Sequence, residues 1–218
     1  MKTMILACQT LEDELLYTMK QSNINYEIMW IESSLHNVPQ KLHSQMQECI
    51  QEIAKNKSCD RLLVAMGKCG NAIDKIVNGP FEMIIPKVDD CISLLFGSDE
   101  KRNNYTNEHS AYYLTQGWMR GKCNILAEYE YSIKKYGQET ADVIAEMMYG
   151  HYKQLALLDN GINSIDTLYR MTEPIEKNLN LKRCVVPVTV NYLVRLLNGP
   201  WDQEHFFKIA PNDTLYIN

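Results

Sequence analysis

The feature that most constrains the fold is an alternation. Short apolar runs of strand length are each followed by a segment with helical spacing. "TMILAC" (Thr3 to Cys8) reads as a buried strand. "LEDELLYTMKQ" follows, with Leu11, Leu15, Leu16 and Met19 at helical intervals and acids near its start. "YEIMWIES" is a second strand. "PQKLHSQMQECIQEIAKN" is a second helix, opening at Pro39 and carrying Leu42, Met46, Cys49, Ile50 and Ile53 on one face. "RLLVAM" and "FEMIIP" are the third and fourth strands. "NAIDKIVNG" between them reads as a short helix, and "DDCISLLFGS" as a helix with an acidic cap and a stop at Gly97. This order predicts an α/β fold: a doubly wound, mostly parallel sheet with flanking helices.

The second half changes character. "NNYTNEHSAYYLTQGW" is polar and tyrosine-rich around a fifth strand, Ala111 to Thr115. From Met119 to Asp159 the chain reads as helical, divided near Gly137. "SIDTLY" and "RCVVPV" read as strands around a helix starting near Pro174, "TVNYLVRLLNG" as a helix and "HFFKIA" as the last strand. The expectation is one domain over 1–218 with a helical insertion at about 119–159, serving as an elaboration of the sheet or as an oligomer contact. With 218 residues, 45% of them hydrophobic, the chain can bury one sizeable core.

The formal net charge is −5 and no Lys/Arg-rich run occurs, so nucleic acid is a poor partner. No apolar run approaches the roughly 18 residues of a membrane span. The opening "MKTMILACQTLEDELL" turns acidic too soon for a secretory leader. The expected location is the reducing cytoplasm. The seven cysteines are then buried hydrophobes, metal ligands or reactive thiols rather than staples. The P-loop, G-x-G-x-x-G, H-E-x-x-H and G-x-S-x-G patterns are all absent.

The strand ends carry the chemistry. Strand one ends at Cys8, strand two runs into "SLHNVP" with His36, strand three into "GKCGN" with Cys69 and Asn71, and strand four into "KVDDC" with Asp90 and Cys91. In an open parallel sheet all carboxyl ends share one edge, and ligands bind in the crevice where strand order reverses. Topology alone thus gathers three thiols and an imidazole. Three cysteines and one histidine make a closed zinc set, and thiolates also hold iron–sulfur clusters. Helix starts after Cys69 and at Cys91 would lower their thiol pKa values. Cys49, Cys59, Cys123 and Cys184 read as packing.

The blocks "ACQTLEDEL", "LHNVPQKL", "VAMGKCGNAI", "VDDCISLLFGS", "AYYLTQGW" and "LLNGPWDQEHFFKIAP", in that order, resemble a bacterial and archaeal family catalogued as domain of unknown function 1638. The resemblance implies that Cys8, His36, Cys69, Cys91, Tyr113, Gly117 and Trp118 are motif positions. Genes of that family often neighbour corrinoid-dependent methyltransferases of methylamine-type metabolism in anaerobes. This implies a helper role in one-carbon transfer, with a corrinoid protein or methyltransferase as partner. The chain departs from the family at "DTLYRMTEP", which lacks the usual Asp-Thr-Gly-Leu, and it has no corrinoid-binding D-x-H-x-x-G.

Tyr112, Tyr113, Trp118 and Trp201 lie near expected loops. Their faces suit either a cage for a methylated amine or the packing of loops onto the core. The expected function is a metal-binding protein, zinc or iron–sulfur, with Cys8, Cys69, Cys91 and His36 as ligands. Tyr113, Trp118, Asn71 and Asp90 are the candidate substrate-binding residues. The alternatives are a metal-free thiol enzyme with Cys69 as nucleophile and His36 or Asp90 as its base, or a scaffold for a corrinoid methyltransferase component.

Overall fold

The computed structural model describes residues 1–56, 59–121 and 123–217. The chain forms two compact units, one of residues 1–99 with 190–218 and the other of residues 100–189. Both are α/β, and the fold is of the doubly wound, mostly parallel type that the alternation predicts.

The first unit is built on strands β1 (Thr3–Cys8), β2 (Glu27–Ile31), β3 (Arg61–Ala65), β4 (Glu82–Pro86) and β8 (Phe206–Ile209), in the order β2-β1-β3-β4-β8. The first four run parallel and β8 is antiparallel to β4. Order reverses between β1 and β3, which makes that junction the switch point. All six residues of β1 are buried, as an unbroken apolar run at the centre of a parallel sheet requires. Its helices are α1 (Glu12–Gln21), α2 (Pro39–Asn56), α3 (Cys91–Phe96) and α10 (Asn191–Asn198). In α2 the buried residues are Leu42, Met46, Cys49, Ile50 and Ile53, the expected face.

The second unit holds a separate parallel sheet, β5 (Ala111–Leu114), β6 (Gln154–Asp159) and β7 (Lys182–Pro187), where the alternation suggested a single sheet. Its helices are α4 (Asp99–His109), α5 (Gln116–Arg120), α6 (Ile125–Tyr136), α7 (Gln138–Tyr149), α8 (Ile165–Met171) and α9 (Glu173–Leu179). The α6–α7 pair, divided at Gly137 as expected, belongs to this unit's core with Ile125, Tyr129, Ala141 and Ala145 buried.

Three local readings are corrected. Gln154–Asp159, read as a helix end, is the central strand β6, its Leu155–Leu158 run buried on both faces. A short apolar run does not by itself separate a buried strand from a helix. "SIDTLY", read as a strand, is helix α8, because Ile165, Leu168 and Met171 recur every third residue toward the core. "NAIDKIVNG", read as a helix, is a series of turns. Cys69, Gly70 and Asn71 have φ of +46°, +67° and +65°, a left-handed run that a right-handed helix does not accept. Among the described residues no helix is long and apolar enough to cross a membrane.

Candidate metal centre

Cys8, Cys69 and Cys91 come from three different βα turns on the carboxyl edge of the first unit's sheet. Cys8 ends β1 with no exposed surface. Its thiol donates to the Thr10 hydroxyl (3.1 Å) and accepts from the Thr10 amide (3.4 Å). Thr10 belongs to the single 3-10 turn Gln9–Leu11 that leads into α1, so the strand's exit is folded around the sulfur.

Cys69 follows β3. Backbone bonds from Lys68 N to Val88 O (2.8 Å) and from Cys69 N to Asp89 O (2.7 Å) stitch its turn to the one after β4. Gly67 permits this approach. A Cβ there would lie 2.7 Å from Asp90 N and 2.8 Å from both Asp90 Cα and Val88 O, distances that backbone atoms do not yield. A Lys68–Asp89 ion pair of 2.7 Å adds to the seam, at the modest worth of a partly exposed pair.

Cys91 is the first residue of α3. Asp90 caps that helix, its Oδ1 accepting from Ser93 N at 2.7 Å. Cys69 and Cys8 are the neighbours that act most strongly on the Cys91 thiol. Hydrogen bonding to Cys69 and Cys8, then burial, pushes its pKa well above the ordinary thiol range. This reverses the expectation that a helix start would lower it. The repulsion from two neighbouring sulfurs and the loss of water outweigh six residues of helix. Ionising all three together requires a cation among them.

The other expected site residues are placed as follows. His36 lies in the 3-10 segment Ser33–Asn37 after β2, and its side chain is outside the described residues. Asn71 is exposed on the Cys69 turn, and Asp90 serves as the cap. Tyr113 and Trp118 belong to the second unit. Tyr113 shares a 2.7 Å hydrogen bond with Thr106 beneath the Arg102 guanidinium. Trp118 is half-buried against that unit's core, and its backbone N–H donates to Thr115 Oγ1 at 3.0 Å.

Strand geometry separates the first two aromatic groups. Tyr112 and Tyr113 are consecutive in β5 and point to opposite faces. Tyr112 packs edge-on against Tyr149 and Tyr152, and burial raises its pKa to about 12. Trp201 is in the first unit, where it lies under Arg61 (4.3 Å) and donates to Leu196 O (2.8 Å).

Three of the remaining four thiols are engaged elsewhere. Cys49 accepts from Gln45, Cys59 donates to Arg61 O, and Cys184 donates to Gln154 Oε1 on the neighbouring strand. Sequence reasoning missed Thr10, which shapes the turn after β1. It also missed Glu14, read only as a helix-start acid but buried in the first turn of α1. A C-x-T pattern at a strand end was the available signal for Thr10. Among the described residues, the set of potential ligand atoms that all lie within 4.8 Å of one another comes from Asp202, Glu204 and His205, and not from the three cysteines. Asp202 is already committed there. It accepts from His205 Nδ1, from the amides of Glu204 and His205, and from Arg195, which makes it a loop cap.

No curated protein and no solved structure gives a match to the chain. A family model does match, over residues 30–197, a span that holds His36, Cys69, Cys91, Tyr113 and Trp118 but not Cys8. The chain therefore belongs to the family described as protein of unknown function (DUF1638).

Proposed function

We propose that this chain is a metal-binding protein of the cytoplasm, with Cys8, Cys69 and Cys91 as thiolate ligands at the switch point and His36 as the fourth ligand or its support. The observation that carries the reading is placement: Cys8, Cys69 and Cys91 are buried on three separate turns at one edge of the sheet, and Cys8 and Cys69 both hold the Cys91 thiol in its protonated form when no cation is present. Soft sulfur donors select zinc or an iron–sulfur cluster. Zinc would supply Lewis acidity and a cluster would supply an electron. The chain's own part is to hold three sulfurs on turns fixed by Thr10, by the Gly67–Asp90 contact and by the Asp90 cap. The likeness to a family encoded beside corrinoid methyltransferases supports an accessory role in corrinoid-dependent one-carbon transfer, with a corrinoid protein or methyltransferase as partner.

Metal analysis and an absorption spectrum of anaerobically purified protein test this reading. Stoichiometric metal is expected, together with its loss in Cys69→Ala and in Cys91→Ser. Full metal retention in either variant would overturn the assignment. The metal-free thiol enzyme is less well supported, because a nucleophile must meet its substrate and Cys69 is only 7% exposed. That enzyme would show one fast-alkylating cysteine at neutral pH without any chelator. Metal-held thiolates react only after chelation.

A further inference from the structure

We infer that the outer face of α7 is a two-fold interface with a second copy of this chain. Helix α7 turns Ala141, Ala145 and Tyr149 inward. Thr140, Val143, Met147 and Gly150 face out, at the 3-4-3 spacing of a helix–helix seam. Val143 is 59% exposed and Met147 is 80% exposed. Beside this seam runs a groove of about 460 Å³, bounded across from α7 by Asn178–Asn180. A protruding methionine next to an open groove is a knob beside a hole on one surface, which an isologous pair fills twice. Exposed apolar stripes with a polar rim mark such contacts.

The stripe reads the same in both directions. In an antiparallel pair Thr140 lies opposite Gly150 of the other copy, and Val143 lies opposite Met147. Large residues then meet at the centre, with Thr140 and the capping Gly150 at the ends. Charge selects the same orientation. Glu139, Asp142 and Glu146 are exposed along α7, the last two lining the groove, and Lys153 is exposed just beyond its end. Antiparallel pairing sets the acidic start of one helix against the basic exit of the other, whereas parallel pairing sets Glu139 against Glu139. The interface lies wholly on the second unit and is independent of the thiol site.

Light scattering or sedimentation across a concentration series tests the inference on the full chain. The wild type is expected at twice the chain mass. Met147→Asp is expected to be monomeric, with unchanged circular dichroism and metal content, since this side chain makes no core contact to lose. Glu139→Lys should weaken the dimer, and Lys153→Glu in the same chain should restore it. A monomeric wild type at every concentration overturns the proposal, whether or not another protein binds this face. So does a dimer that survives Met147→Asp. A dimer unaffected by Glu139→Lys overturns the antiparallel arrangement.

Discussion

Cys69 is held in a conformation that favours glycine, with φ of +46°. A side chain there costs about 1–2 kcal/mol relative to glycine, so the position keeps a thiol against a backbone preference. This gives a sharp comparison of variants. At an ordinary site alanine is more stable than glycine. At position 69 the order is expected to invert, with Cys69→Gly more stable than Cys69→Ala by about 1 kcal/mol in metal-free protein. Chemical denaturation of the two variants checks it, and both should lack metal.

Cys91 supplies a pH dependence. Metal-free folded protein keeps the Cys91 proton above the ordinary thiol pKa, whereas the unfolded chain releases its proton near pH 8.5–9. The folded state therefore binds more protons at alkaline pH. Stability is full below about pH 8.5 and falls as pH rises toward the folded pKa. Burial raises Cys49 and Cys59 in the same sense, so Cys91→Ser should reduce the alkaline slope without abolishing it. Metal affinity should run the other way and climb with pH, because binding expels these protons.

At the scale of elements, two turns are joined chiefly by backbone, with the Lys68–Asp89 pair beside it. Gly67→Ala places a methyl group within 2.8 Å of the Asp90 and Val88 backbones. It should destabilise the protein by about 2–3 kcal/mol and lower metal occupancy by parting Cys69 from Cys91. Denaturation and metal content measured on one preparation read both effects. This contact also shows what a sequence conceals. The placement of Cys8, Cys69 and Cys91 at one sheet edge was legible because strand–helix alternation forces all carboxyl ends there. The Gly67–Asp90 approach was not, since contact between main chains leaves no side-chain pattern. The left-handed run at 69–71 was hidden similarly: "CGN" permits those angles without dictating them, and the apolar periodicity of "AIDKIV" imitated a helix. The second sheet was missed for another reason. Individual strands announce themselves by their apolar runs, but nothing in β5 or β7 says that each pairs with β6 rather than with β4.

At the scale of the molecule, residues 100–189 interrupt the first unit in sequence, and that unit is completed by α10 and β8. Leu193, Leu196 and Leu197 of α10 are buried, and β8 pairs along β4 from Met83 to Pro86. A chain stopped at Thr189 would leave the β4 edge unpaired and strip those leucines from the core. It is expected to be insoluble or to bind a hydrophobic dye. A soluble, metal-loaded 1–189 fragment would show that the closing strand is dispensable.

The antiparallel closure of β4 by β8 has a consequence for synthesis. Glu82–Pro86 leaves the ribosome well before Phe206–Ile209, and at about 5–20 residues per second the gap lasts on the order of ten seconds. Throughout that interval the nascent chain carries an open strand edge on the unit that holds Cys8, Cys69 and Cys91. Shielding by a chaperone would matter most in that window.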